Sequence, residues 1–257
     1  MAGAGEELFR KSLKPRSARE YLGELVYRPL AHLLVSALYR TRVRPEHLVF
    51  LQGVLGALSA LFIYRGWDVL AAGLLVIRNV LDNADGQLAR ARGEASQLGR
   101  YLDTEVDLLT NVLLFLALGL RLESLFAALV AFFLLTLLLS ADYAANSPKV
   151  LPKRRGPEPW ASRLEAFYRG FFGPQDALFK RLFSLGLPKW YRTLLANLGL
   201  STQHTILALS LLFGRPWLYL LWVYVTFLLA AFGYLYLVWR TPSPPSPPSP
   251  GGRAEGS

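Results

Sequence analysis

The chain has 257 residues, of which 53% are hydrophobic and 18% charged, with a formal net charge of +10. It contains no cysteine, which excludes disulfides and thiolate metal sites. Its apolar residues are gathered in blocks of about twenty, so the composition indicates a membrane protein. The basic residues flank these blocks, so topology and anionic lipid explain the positive charge, and no nucleic-acid partner is predicted.

Residues 1–45 are predicted to form a cytoplasmic N-terminus and an amphipathic surface helix. Residues 1–20 are polar and basic, without an apolar run long enough for a cleaved signal peptide. From Tyr21 to Tyr39 the chain is apolar but interrupted by charged residues and a proline, which favours a helix lying on the membrane surface. A short first membrane span is the alternative.

Residues 46–240 are predicted to form an all-α, polytopic membrane domain with six transmembrane helices. These cover about residues 47–64, 69–90, 99–120, 125–145, 198–213 and 217–239. His204, in the fifth, is predicted to be a hydrogen-bonded structural residue rather than a metal ligand. Residues 146–196 form a basic and aromatic cytoplasmic segment, typical of interfacial helices, with a groove for a phosphorylated acceptor as the alternative. Residues 241–257, rich in Pro and Ser, are predicted to be a disordered tail.

The distribution of charge predicts the orientation in the membrane. With six spans, the short loops at Arg65, Arg121 and Arg215 share one side and carry one basic residue each. Most of the other basic residues lie on the opposite side, which the positive-inside rule places in the cytoplasm. Both termini and the connection between the second and third spans are therefore predicted to be cytoplasmic. For a bacterial protein the membrane would be the inner or plasma membrane.

Four carboxylates lie at helical spacings at the polar ends of the second and third spans. Asp82 and Asp85 are three residues apart, and Asp103 and Asp107 are four apart, so each pair lies on one face of its helix. Glu105 points to a different face and is not assigned to the site. Acidic residues beside hydrocarbon are costly. If two antiparallel helices bring the four together, their repulsion predicts one or two divalent cations with oxygen ligands, such as Mg²⁺, Ca²⁺ or Mn²⁺.

Small and basic residues accompany these carboxylates. Gly86 and Gly99 have no Cβ, so a bulky ligand can approach the backbone there. Arg90 lies about two turns beyond Asp82, where its guanidinium can bind a phosphate. Arg78, about one turn before Asp82, is predicted to pair with it, and a direct substrate contact is the alternative. Together these residue types indicate metal-assisted chemistry on a phosphate group.

The same stretch resembles the signature of the CDP-alcohol phosphatidyltransferase family, D-x-x-D-G-x-x-A-R, eight residues, then G-x-x-x-D-x-x-x-D. Every defining position is present. The resemblance implies transfer of a substituted phosphate group, in phospholipid synthesis, from a CDP-linked donor such as CDP-diacylglycerol to an alcohol, with release of CMP. It also implies six membrane helices behind a surface helix, Mg²⁺ or Mn²⁺ in a two-metal site, and a possible homodimer.

The resemblance also implies a role for each acidic residue of the motif. Asp82, Asp85 and Asp103 match the positions that hold the metals. Asp107 matches the position of the catalytic base, which also contacts the second metal. A site at the cytoplasmic edge of the membrane would suit one substrate with lipid tails and one soluble substrate.

Other positions of the motif are implied in binding the nucleotide. Gly86, Arg90 and Ser96 match positions that contact the CDP moiety. One departure concerns the start of the first span, where the family often has Pro-Asn-x-Ser/Thr and this chain has Pro45-Glu46-His47-Leu48. Nucleotide contacts are therefore not assigned to that segment.

Three alternatives remain open at the level of the sequence. The Asp82-Asn83 pair also resembles the choline/ethanolamine phosphotransferase branch, where a CDP-amino-alcohol is the donor and diacylglycerol the acceptor. A membrane cation transporter could use the same carboxylates as its cation site. A non-catalytic membrane scaffold would need none of them. Neither of the last two explains Gly86, Arg90 and Gly99 at fixed spacing, and the basic residues of 146–196 favour an anionic acceptor.

Overall fold

The computed structural model describes residues 12, 18–95, 97–146, 163, 166, 170 and 187–240. The regular elements of this part are all helical, which confirms the all-α prediction. A π-helical turn, Gly23–Tyr27, leads into the first of the eight α-helices that can be delimited within the described residues. Ser96, the tail 241–257 and most of the segment 146–196 lie outside the described residues. The helices are α1 (Arg28–Leu38), α2 (Pro45–Arg65), α3 (Asp68–Arg92), α4 (Gln97–Arg121), α5 (Leu125–Asn146), α6 (Lys189–Asn197), α7 (Leu200–Leu212) and α8 (Trp217–Arg240).

Proline and glycine residues set the ends of the two helices that lead to the motif. Pro45 is the first residue of α2, where its missing N–H removes no helical hydrogen bond. Gly66 and Gly93 end α2 and α3 in the left-handed conformation, with φ values of 75° and 68°. The tight turn after Gly66 makes α2 and α3 antiparallel neighbours, so the start of α2 lies beside the acidic end of α3.

Helix α2 is the element around which the motif helices are arranged. It packs along both α3 and α4, while α7 and α1 pack on α3, and α5 packs on α4. The approach of α2 to α4 is close, because a Cβ on Gly56 would lie 2.6 Å from the side chain of Thr110. A Cβ on Gly53 would lie 3.1 Å from Val106. These contacts bring the N-terminal half of α2 up to the carboxylates of α4.

The main apolar core lies toward the end of the bundle opposite the motif. It joins side chains of six helices, among them Ile63, Leu75, Leu118, Leu135, Leu207 and Val223. A smaller cluster lies at the motif end, where Ala31 and Val35 of α1 pack against Leu81, Ala84 and Leu88 of α3. The site is therefore built between two packed regions, and its helices are held on both sides of it.

Three helices of the described part are long and apolar enough to cross a membrane, namely α2, α5 and α8. Large apolar side chains on their outer faces are exposed, including Phe50, Phe126 and Phe232, which suits contact with lipid. Helices α3 and α4 have 25 residues each, about 37 Å, but carry the charged motif. Helix α7 has 13 residues and spans about 20 Å, less than the roughly 30 Å hydrocarbon core. The helices favour a polytopic membrane protein, and the number of six spans stays a prediction.

The N-terminal helix has the exposure pattern expected of a surface helix. Ala31 and Val35 of α1 are fully buried against the bundle, whereas Leu25 and Leu33 are 75% and 69% exposed. The guanidinium of Arg92, at the end of α3, donates to the carbonyls of Tyr39 and Val43 at 3.1 and 2.6 Å. Arg92 therefore fastens the α1–α2 connection to α3. An exposed apolar face beside the bundle is consistent with α1 lying on a bilayer surface.

Helix α6 docks on α8 through one tyrosine. The Tyr191 hydroxyl donates to the carbonyl of Ala230 at 2.8 Å, and a Cβ on Gly233 would lie 3.0 Å from the Tyr191 ring. Burial, with a smaller contribution from Tyr234, raises the pKa of Tyr191 to about 12. The hydroxyl therefore keeps its proton at neutral pH and remains a hydrogen-bond donor.

An ion pair joins α3 and α4 at the end of the bundle opposite the motif. Arg121, the last residue of α4, binds both carboxylate oxygens of Asp68 at the start of α3, and also reaches the Ile63 carbonyl at 3.3 Å. Arg121→Met should lower the midpoint of thermal unfolding in detergent by about 2–8 °C, since breaking a half-buried pair costs about 1–2 kcal/mol. Arg65→Met, which changes an exposed arginine at the same end, should leave it unchanged. An equal loss in both variants would contradict the role of the pair.

Candidate metal centre

Three of the four motif carboxylates converge beside α2. One oxygen from each of Asp82, Asp103 and Asp107 can be chosen so that all three lie within 4.8 Å of one another. Asp82 comes from α3 and the other two from successive turns of α4. The three residues are partly exposed, so a cation can reach them. Hard oxygen ligands at this separation suit Mg²⁺ or Mn²⁺.

Asp85 lies next to this triad but in a different environment. It is buried, with 6% of its surface exposed, and its Oδ2 accepts a hydrogen bond from Gln52 Nε2 at 3.1 Å. The charges of Asp103, Asp82 and Asp107 all act on it. The structure therefore brings the four predicted carboxylates into one electrostatic cluster, in which Asp85 is the deepest.

Gln52 of α2 joins the two motif helices and was not predicted. Its Nε2 also donates to Asp103 Oδ1 at 3.0 Å, so one amide group bonds a carboxylate on α3 and another on α4. Because carboxylates only accept hydrogen bonds, the nitrogen of the amide must be the atom that faces them. A polar residue inside the apolar stretch of α2 was the available signal in the sequence.

Asp107 is connected to a buried polar network through Arg78. The fully buried guanidinium of Arg78 forms an ion pair with Asp107 and donates to His204 Nδ1 at 3.0 Å. Nδ1 of His204 also lies 3.1 Å from Asn79 Oδ1, and Nε2 lies 3.3 Å from Asn111 Oδ1, so the ring contacts polar groups of both α3 and α4. The prediction that His204 is hydrogen-bonded structure is confirmed. The ion pair that the structure shows for Arg78 is made with Asp107, whereas the spacing had suggested Asp82.

Gly86 and Arg90, predicted to bind the CDP moiety, lie together on α3. The nearest atom to a Cβ built on Gly86 is Nη1 of Arg90, at 3.0 Å. The Nε of Arg90 donates to the carbonyl of Ser12, in the N-terminal segment, at 2.7 Å. The guanidinium therefore lies over the glycine, close to the carboxylates of the same helix. Ser96, the third predicted contact, lies outside the described residues.

The charge of this cluster fits a divalent cation. Four carboxylates bring four negative charges when ionised, and the guanidinium of Arg78 supplies one positive charge against them. Gln52 is neutral, so it orients two of the carboxylates without reducing the attraction for a cation. A hard divalent ion bound by oxygen ligands would relieve the remaining repulsion. The residues present therefore suit Mg²⁺ or Mn²⁺.

A sequence model described as CDP-alcohol phosphatidyltransferase matches residues 42–170, half of the chain. The chain belongs to the CDP-alcohol phosphatidyltransferase family. The matched residues include α2, α3, α4 and α5, and therefore all four carboxylates and Gln52. The resemblance inferred from the motif is confirmed.

This CDP-alcohol phosphatidyltransferase chain is similar to bacterial and archaeal proteins. It is 33% identical over 82 residues to the inner membrane protein YnjF of Escherichia coli, covering 32% of the chain and 39% of that protein. It is 33% identical over 79 residues to an archaetidylinositol phosphate synthase of Pyrococcus horikoshii, covering 30% and 42%. A protein of Aquifex aeolicus is 32% identical over 98 residues, covering 38% and 50%. The alignments thus span half or less of each relative.

Proposed function

We propose that this protein transfers a substituted phosphate group from a CDP-linked donor, CDP-diacylglycerol, to an alcohol acceptor in phospholipid synthesis, with release of CMP. The observation that supports this most strongly is the convergence of Asp82, Asp103 and Asp107 within 4.8 Å in a member of this family. The attacking alcohol oxygen forms a bond to the donor phosphorus, and the bond from that phosphorus to the CMP oxygen breaks with its electron pair leaving on CMP.

The acidic residues would divide two tasks between them. Asp82, Asp85 and Asp103 would hold Mg²⁺ or Mn²⁺, which when bound supplies positive charge to the pyrophosphate and the leaving CMP. Asp107 would take the proton of the acceptor hydroxyl as general base, and its carboxylate also belongs to the triad. Because Arg78 binds Oδ1 of Asp107, Oδ2 is the oxygen left for this proton or for a cation.

The nucleotide would lie against the end of α3. Gly86 would allow the donor to approach the helix backbone, and the guanidinium of Arg90 beside it would bind a donor phosphate. Ser96 would complete these contacts. The side of the site that faces the lipid would receive the diacylglycerol tails, since a substrate with acyl chains has to reach the carboxylates from the bilayer.

The acceptor is proposed to be an anionic alcohol. The basic residues of segment 146–196 favour this, as does the name of the Pyrococcus horikoshii relative, which states that it synthesises archaetidylinositol phosphate. A second candidate function is the transfer of phosphocholine or phosphoethanolamine from its CDP derivative to diacylglycerol, suggested by Asp82-Asn83. A cation transporter remains the candidate of a different class.

We also propose an integral membrane location with the site and both termini in the cytoplasm. The domain organisation proposed is a surface segment 1–45, a six-span membrane domain 46–240 and a tail 241–257. Three candidate spans, the clustered basic residues and the similarity to the inner membrane protein YnjF support the location. A homodimer is proposed as well, from the family resemblance alone.

Metal removal tests the proposed reaction. Purified protein in detergent, given CDP-diacylglycerol, Mg²⁺ or Mn²⁺ and a panel of alcohols, should release CMP only with the correct acceptor. Excess EDTA should abolish the release, and added Mg²⁺ or Mn²⁺ should restore it, because four carboxylates cannot bind a pyrophosphate without a counter-charge. Folded protein that releases no CMP here, nor from CDP-choline or CDP-ethanolamine with diacylglycerol, would contradict the transferase and favour a transporter.

A further inference from the structure

We propose that Gln52 is a positioning residue that orients Asp85 and Asp103 for the cation. This inference rests on the proposed function, since it assigns Gln52 a role at the same site. Gln52 lies outside both halves of the motif, D-x-x-D-G-x-x-A-R and G-x-x-x-D-x-x-x-D. It belongs to α2, a helix that supplies none of the four carboxylates. The contacts of its amide nitrogen, the burial of the side chain and the unpaired state of its oxygen carry the inference.

The amide nitrogen of Gln52 contacts two carboxylates at once. Gln52 Nε2 lies 3.1 Å from Asp85 Oδ2 and 3.0 Å from Asp103 Oδ1, so both protons of the amide nitrogen are used on carboxylates. The side chain is fully buried, and water does not compete for these bonds. Because α2 and α4 approach closely at Gly53 and Gly56, the Gln52 amide is held within hydrogen-bond distance of Asp103 on α4. The amide is thus a rigid bridge between α3 and α4.

The same two bonds orient the carboxylates of Asp85 and Asp103. A carboxylate offers two oxygens, and the bonds to Gln52 occupy Oδ2 of Asp85 and Oδ1 of Asp103. The bond to the amide sets the plane of each carboxylate, and with it the direction in which the carboxylate faces a cation. Hydrogen bonds of this kind to metal ligands orient the ligands, and their loss weakens metal binding by about 10–100-fold.

Folding alone does not explain a glutamine at position 52. Gln52 Oε1 is buried without a hydrogen-bond partner, which is unfavourable, and a methionine would fill a similar space without an unpaired polar atom. The N–H groups, by contrast, are fully used on the two carboxylates. The chemistry at the site therefore accounts for the amide better than packing does.

Another buried glutamine provides a matched control. Gln203 of α7 is also fully buried and also has an unpaired Oε1, but its Nε2 donates to the backbone carbonyl of Leu198 at 2.9 Å. Gln203→Met removes an equally buried amide without touching a carboxylate. A difference between Gln52→Met and Gln203→Met therefore reports the contact with the acidic cluster and not the loss of a buried amide.

The test is a titration of the purified protein in detergent with Mn²⁺, in which free Mn²⁺ is measured by electron paramagnetic resonance. We expect Gln52→Met to raise the Kd for Mn²⁺ by about 10–100-fold, and Gln203→Met to leave it within about 2-fold of the unsubstituted protein. In the CMP-release assay, the Mn²⁺ concentration for half-maximal rate should rise by a similar factor, with kcat at saturating Mn²⁺ nearly retained.

The outcomes separate this inference from the proposed function. Folded Gln52→Met protein that binds Mn²⁺ as tightly as the unsubstituted protein, or more tightly, would overturn the positioning role alone. An unsubstituted protein that binds no Mn²⁺ would overturn the proposed metal-dependent function. If Gln52→Met does not fold, Gln52→Asn keeps an amide one methylene shorter, which cannot reach both carboxylates. Its Mn²⁺ affinity should fall at least several-fold, and an unchanged affinity would overturn the inference equally.

Discussion

Asp107→Asn is expected to slow CMP release by about 10²–10⁴-fold, the usual contribution of a general base. The amide has nearly the shape of the carboxylate and can still accept a hydrogen bond from Arg78, but it cannot take the proton of the acceptor hydroxyl. It is also a weaker cation ligand. The rate should be measured at saturating donor, acceptor and Mg²⁺ or Mn²⁺, so that a loss of metal affinity is not mistaken for a loss of the base.

Glu105→Gln is the matched control for this substitution. It neutralises a carboxylate on the same helix only two residues away, on a face that the helical spacing turns away from the site. We expect its rate to stay close to that of the unsubstituted protein. A normal rate in Asp107→Asn, or an equal loss in Glu105→Gln, would show that Asp107 does not act as the base.

The helices and the four carboxylates could be predicted because their signals are local. The boundaries predicted from the hydrophobic blocks lie close to those observed for α2 to α5 and α8. Spacings of three and four residues were sufficient to place each acidic pair on one face. The fifth predicted span, residues 198–213, also lies close to α7, but α7 has only 13 residues, since a break at Leu198 and Gly199 separates it from α6.

The parts of the site that could not be predicted depend on which helices become neighbours. Gln52 is 33 residues from Asp85 and 51 from Asp103, and no periodic pattern relates them. Arg78 and Asp107 are 29 residues apart, and the one-turn rule suggested a partner on the same helix instead. In both cases a fully buried polar group needs a partner within reach, and packing on α2 and α7 decides which one it finds.

The second large effect is expected on stability, in the ion pair between Arg78 and Asp107. Asp107→Leu leaves the guanidinium of Arg78 buried without its counter-ion, which should cost about 3–5 kcal/mol and lower the midpoint of thermal unfolding by about 6–20 °C. Arg78→Met should cost less, because the Asp107 side chain is 23% exposed and can be hydrated, whereas that of Arg78 is 0% exposed. The two single variants should therefore differ in stability in this order.

The double variant, Arg78→Met with Asp107→Leu, decides whether the pair itself accounts for these losses. Replacing both partners of a buried ion pair with apolar residues is often nearly neutral, so we expect it to be more stable than Asp107→Leu alone, although inactive. Losses that simply add in the double variant would show that the two residues are not coupled. Recovery of stability without activity would instead mean that the bundle tolerates an apolar centre. The charges at positions 78 and 107 would then be required for the reaction and not for the fold.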